Sequence, residues 1–262
     1  MQEKENSAFR LYRFVQKMLP QPQNSLTAQV LLSAFGVKNV QDVWSQNEMI
    51  MEVSALLSGE VQSLIRESGR LSFSNESRLP IVGAFGKLSI PGLATQWQNN
   101  YPAFLSALPL LLLLGEALPD EGTAISNDDL TGLLNEVESL RQGVEESSLP
   151  EDAKRFVYEQ LDIIARAFRD YPINGRKAFK TAVREVVFHQ AEHREVVEQL
   201  EGTDQMNRLK RVWQKLVEMS KYAIEFSKLL AAADSISEHG EKAIHAGAQV
   251  AHQVGGVIHN WK

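Results

Sequence analysis

At 262 residues, with 44% apolar and 23% charged residues, the chain has the composition of a soluble globular protein long enough to bury a real core. Its formal net charge of −6 gives no general reason to expect nucleic acid as a partner. The absence of cysteine excludes disulfides, thiol catalysis and Cys-ligated zinc or iron–sulfur centres, and it fits a cytoplasmic location.

The opening residues MQEKENSAFRLYRF are acidic and then amphipathic, not a basic segment followed by an apolar one, so no signal peptide is expected. The spacing predicts a first helix over Ser7 to Leu19. Its apolar face is Phe9, Leu11, Tyr12, Phe14, Val15 and Met18, with Arg10, Arg13 and Lys17 opposite. PQPQN breaks it, and helices resume over Leu26 to Phe35, Val40 to Gln46 and Met49 to Glu67. Residues 70–92 are rich in Gly, Pro and Ser with short alternating apolar runs, which predicts an irregular segment or a small hairpin. A helix over Thr95 to Leu118 follows. Its apolar core, Ala103 to Leu114, holds Pro109 and falls short of the roughly 20 residues that span a bilayer. It is expected to be a buried core helix, with an interfacial segment as the alternative. Residues 1–119 thus form a mainly helical N-terminal domain, 120–127 a linker, and 128–262 a C-terminal helical bundle.

The second half is more regular. A helix is expected from Asp128 to near Gly143. SLPE at Ser148 to Glu151 has capping-box spacing with proline inside the first turn and starts another. Phe156, Val157, Leu161, Ile164 and Phe168 recur along it at helical spacing until DYPING, and one long helix then runs to Gly202. Thr203 or Asp204 caps the next. Its positions Leu209, Val212, Leu216, Met219, Ala223, Phe226, Leu230 and Ala233 alternate by three and four, an a/d heptad seam. After SISEHGE the same frame returns at Ile244, Gly247, Ala251, Val254, Ile258 and Trp261. The fold expected is all-α, a bundle with long heptad-patterned C-terminal helices that bury their seams against other helices.

Charge is uneven. Ser126 to Asp152 carries eight acids against Arg141 alone, and Ala153 to Arg184 carries eight bases against three acids. Neighbouring helices of opposite charge are expected to pair.

Three motifs bear on chemistry. His189, Glu192 and His193 spell H-x-x-E-H, which resembles the zinc signature of the inverted zincins. That resemblance implies a third acidic ligand from a downstream helix, whereas the stretch from Lys242 onward has no carboxylate side chain. Histidines four apart lie about 6 Å apart along one helix face, so His189 and His193 are also candidate ligands of a non-catalytic metal site with a carboxylate such as Glu185. Arg184 and His189 form R-x4-H, which resembles the motif of the HEPN ribonucleases, all-helical proteins that usually act as dimers. The resemblance implies that Arg184 and His189 line a catalytic cleft. The residue after the arginine in that family is commonly Asn, Asp or His, and here it is Glu185. Five residues of helix set the two side chains about 140° apart, so a shared cleft requires a second subunit. Set beside both is a plainer reading, an amphipathic helix with His193 in its apolar stripe and His189 at the edge, each hydrogen-bonded.

GAFGKLS echoes a phosphate loop but has Ile81 and Leu88 where glycine and Ser or Thr are required. In the tail, His245, His252 and His259 are seven apart, about 10 Å along a helix, too far for neighbours to share an ion. Ala243, Gly247, Ala251 and Gly255 form a small-residue ridge suited to close helix packing.

These features predict a non-enzymatic helical interaction subunit with no cofactor. Its binding residues would be Leu209, Val212, Leu216, Met219, Phe226, Leu230, Ile244, Gly247, Ala251, Val254, Ile258 and Trp261, contacting a protein partner or a second copy. A membrane-acting helical effector is the alternative, and a HEPN-like ribonuclease the third reading.

Overall fold

The computed structural model describes residues 4–37, 42–71, 73–122 and 124–220. Among them are eleven helices and no strand, an all-α fold. The chain divides into two units, Met1–Ser126 with Arg169–Gly175, and Asn127–Phe168 with Arg176–Lys262.

In the first unit, α1 (Ser7–Met18) opens on Asn6, whose side chain accepts from the Phe9 amide and so satisfies one of the amides that a helix start leaves unpaired. Ala8, Leu11, Phe14, Val15 and Met18 are buried along it. Arg10 departs from the expected polar side, because it too is buried. α2 (Thr27–Phe35) ends on Gly36, whose φ of 90° is the left-handed cap that glycine adopts without strain. α3 (Val43–Arg70) is one helix, not the two predicted. Asp42 caps it, accepting from the Ser45 amide at 2.9 Å, and nothing in Asn47-Glu48 is costly enough to interrupt it.

The segment expected to be irregular or a hairpin is instead helical, with α4 (Asn75–Gly86) followed by the single turn α5 (Ile90–Leu93). Ile81, Ala84, Phe85 and Leu88 recur at helical period and are buried. Burying that stripe outweighs the roughly 1 kcal/mol that a helical glycine costs and the bond that Pro80 forgoes. α6 (Trp97–Ala117) packs on α4 and α1. Phe104 meets Phe85 edge-on at 5.4 Å and Trp97, tilted, at 5.2 Å. A single antiparallel bridge joins Leu26 to Gln96. Beside it the buried Asn100 amide donates to Thr27 Oγ1, Thr95 Oγ1 and the Gly92 carbonyl, which ties the starts of α2 and α6 together.

In the second unit, α7 (Asn127–Glu145) buries Leu133, Val137, Leu140 and Val144. α8 (Glu151–Asn174) runs through DYPING, which was expected to break it, and stops only at Gly175 with φ of 55°. Its last residues, 169–175, belong with the first unit. The long helix expected to reach Gly202 is two, α9 (Arg176–Glu192) and α10 (Arg194–Leu200), parted at His193 with φ −116° and ψ 37°. α11 (Asp204–Ser220) is capped by Thr203, whose hydroxyl accepts from the Met206 amide, and packs against α9 and α7. On α7, Glu136 meets Lys215 of α11, and Arg141 meets Asp162 of α8.

Candidate functional site

The H-x-x-E-H stretch sits where α9 gives way to α10. Val183, Val186 and Val187 hold α9 in the core of the second unit, which leaves His189 at its edge, 17% exposed, facing α8. The break at His193 turns that residue's ring back over His189, with ring centroids 4.3 Å apart. Phe156 of α8 stacks on His189 at 5.3 Å, nearly parallel at 13°, and fixes the ring plane.

Hydrogen bonds then settle the chemistry of each ring. The indole N–H of the buried Trp213 donates to Gln160 Oε1 at 3.1 Å. An indole nitrogen only donates, so the Gln160 amide cannot be turned the other way without opposing two donors. Gln160 Nε2 therefore donates to His189 Nδ1 at 2.7 Å. His189 in turn carries its proton on Nε2 and donates to Glu159 Oε2 at 2.8 Å. His193 Nδ1 lies 3.0 Å from the His189 carbonyl, an acceptor only, so its lone pair is on Nε2. Glu159, His189 and His193 each offer one ligand atom within 4.8 Å of the others.

The carboxylate in this cluster is not Glu185, which pairs with Arg166, nor Glu192, which is exposed. It is Glu159, thirty residues before His189 and on another helix. Sequence reasoning missed Glu159, Gln160 and Trp213. The pairing of α8 with α9 and α11 that joins them leaves no local trace in spacing. As for the ribonuclease resemblance, Arg184 is exposed on α9 while both ring nitrogens of His189 are engaged by α8.

The predicted seam is divided. Leu209, Val212 and Leu216 are buried against this unit's own α9 and α7, so in this fold they serve the chain's own core; Met219 is partly exposed. Phe226, Leu230, Ile244, Gly247, Ala251, Val254, Ile258 and Trp261 lie outside the described residues, as do the tail histidines.

Two features of the first unit were also not foreseen. Arg10, 1% exposed, is held by Glu60, by both oxygens of Glu121 at 3.0 and 3.1 Å, by Glu5, and by the Ile173 carbonyl at 2.9 Å. Burial works against its charge, but Glu60 and Glu121 outweigh that and raise its pKa above the ordinary arginine value. The second feature is apolar surface. Leu105, Leu112 and Leu113 are exposed on the side of α6 away from its buried Phe104, Ala107 and Leu111, and Trp44 near the start of α3 is 85% exposed. The expected core helix is thus core on one side only.

No family model, curated protein or solved structure matches the chain.

Proposed function

We propose that this protein is a non-catalytic helical interaction subunit, acting in the cytoplasm by packing exposed apolar helix faces against a helix of a protein partner or a second copy. The outward face of α6 carries the proposal. A helix apolar on all sides is ordinarily buried on all sides. α6 buries Phe104, Ala107, Leu111 and Leu114 yet leaves Leu105, Leu112 and Leu113 exposed, with Pro102 and Pro109 on the same side. Leucines at i, i+7 and i+8 are the spacing a helix-on-helix contact uses. Val43 and Trp44 at the start of α3 supply a second exposed apolar point, and Trp is a residue type enriched among binding hot spots. With Leu209, Val212 and Leu216 already buried, the tail from Phe226 onward contributes whatever share of the seam reaches a partner.

The test is a double change, Leu105→Glu with Leu113→Glu, in the full chain. Light scattering coupled to size exclusion, together with identification of co-purifying proteins, should show a smaller assembly or a lost partner at unchanged helicity. The same assembly and the same partners in the variant would overturn the proposal. Removing residues 241–262 separately measures the tail's share.

A second reading rests on α6 as well. At 21 residues it is long and apolar enough, by length and composition, to cross a membrane, although a third of its most apolar window is buried. Co-sedimentation with liposomes at neutral and acidic pH, abolished by the same leucine changes, would favour this reading over protein docking.

A further inference from the structure

We propose that Glu159, His189 and His193 bind a single divalent first-row transition metal ion, and that Gln160, held by Trp213, sets how tightly. Two imidazoles and one carboxylate suit zinc, cobalt, nickel or ferrous iron better than the all-oxygen shells of calcium or magnesium. One ligand atom from each residue lies within 4.8 Å of the others. Ligands sharing an ion at about 2 Å are at most ~4 Å apart, so closing the site takes a contraction of about an ångström. Rotation of the half-buried Glu159 and His193 side chains provides it. His193 is already arranged as a ligand, with Nδ1–H donating to the His189 carbonyl and the lone pair left on Nε2. Phe156, stacked on His189, keeps the second ring in place.

His189 is not yet arranged so. Its Nε2 bears the proton that bonds Glu159, because Gln160 donates to Nδ1. For Nε2 to take the ion, its proton leaves and another binds Nδ1, with no net proton released by the ring. The Gln160 amide then turns so that Oε1 accepts from Nδ1–H, and the bond from Trp213 is lost. Metal ligation outweighs one neutral hydrogen bond, so the site fills, but at a cost in affinity set by Trp213. This coupling distinguishes the proposal from a chance grouping of ligand residues. Removing the Trp213 N–H should tighten metal binding, although Trp213 does not touch the ion.

The experiment is titration of the metal-free full chain with Co2+, read by its visible ligand-field bands and competed by Zn2+. One ion per chain is expected. Glu159→Gln and His193→Ala should each weaken binding at least tenfold, with helicity by circular dichroism unchanged. Trp213→Phe should tighten it about tenfold. Should that variant not fold, Gln160→Glu serves instead, since its carboxylate accepts from both Nδ1–H and Trp213 and should also tighten binding. A chain with His245, His252 and His259 all changed to Ala should bind as the unaltered chain does. Absence of stoichiometric binding, binding indifferent to Glu159→Gln and His193→Ala, or binding lost with the tail histidines would each overturn the site. Unchanged or weaker affinity in the folded Trp213→Phe or Gln160→Glu chain would overturn the control by Gln160.

Discussion

Trp213 donates its indole N–H to Gln160 at 3.1 Å, and this bond, together with the Glu159 carboxylate at Nε2, fixes the tautomer of His189, a residue that lies on a different helix from Trp213 or Gln160. The order is forced by a group that can only donate. A donor at one end of the amide fixes the other end as a donor too, and the ring must answer with an acceptor.

The tautomer is the first expectation. Long-range nitrogen–proton correlation spectra of the neutral ring should place the His189 proton on Nε2. In Trp213→Phe the amide is free to turn, but the Glu159 carboxylate still accepts from Nε2 and should keep the proton there. Trp213→Phe combined with Glu159→Ala should instead let it redistribute toward Nδ1. A ring protonated on Nδ1 in the unaltered protein would refute the relay.

Arg10 is the second. It joins α1 to Glu60 of α3, to Glu121, and to the end of α8 through the Ile173 carbonyl. Arg10→Met leaves Glu60, only 2% exposed, without this counter-charge, and should cost about 3–5 kcal/mol in chemical denaturation of the first unit. Adding Glu60→Leu to the same chain should recover much of that loss. A double variant as unstable as the single one would show that the charge pairing is not the source.

Gly175 is the third. Its φ of 55° lies in the left-handed region, and a Cβ there would come within 2.8 Å of Arg10 Nη1. Gly175→Ala therefore meets strain and a clash together, and should destabilise by about 1–3 kcal/mol. Gly36 also has positive φ, at 90°, but nothing lies within 4 Å of a Cβ there. Gly36→Ala should cost less, and equal costs at the two sites would argue against the Arg10 contact.

Asp42 is the fourth. The Ser45 amide and hydroxyl stabilise its carboxylate and hold its pKa below the ordinary 3.8. A lowered folded-state pKa contributes stability above the unfolded value, and the contribution is lost as pH falls through the folded one. Hydrogen exchange at the first turn of α3 should thus be protected at neutral pH and accelerate as pH is taken below 3.8, after correction for intrinsic rates. In Asp42→Ala that turn should be unprotected throughout, with no pH dependence of its own.

Local pattern by itself determined that this protein is helical. Most apolar residues at three-and-four spacing in α1, α7, α8 and α11 are found buried, with Phe9, Tyr12, Phe168 and Met219 half-buried at the stripe edges, because a helix can hide only the stripe its own period creates. Where local chemistry and burial disagreed, burial prevailed: Gly, Pro and Ser across 75–86 argued for a loop, but Ile81, Ala84, Phe85 and Leu88 had a core to enter. What only the tertiary structure decided is which distant residues meet. The His189–His193 pair was legible in four-residue spacing, whereas Glu159, Gln160 and Trp213 join it through three helices brought side by side. Arg10 reads as one more surface base until Glu60 and Glu121 surround it. Periodicity is a property of neighbours in the chain and can be read there. Counter-charges, tautomers and ligand sets depend on neighbours in space, and those exist only once the helices have packed.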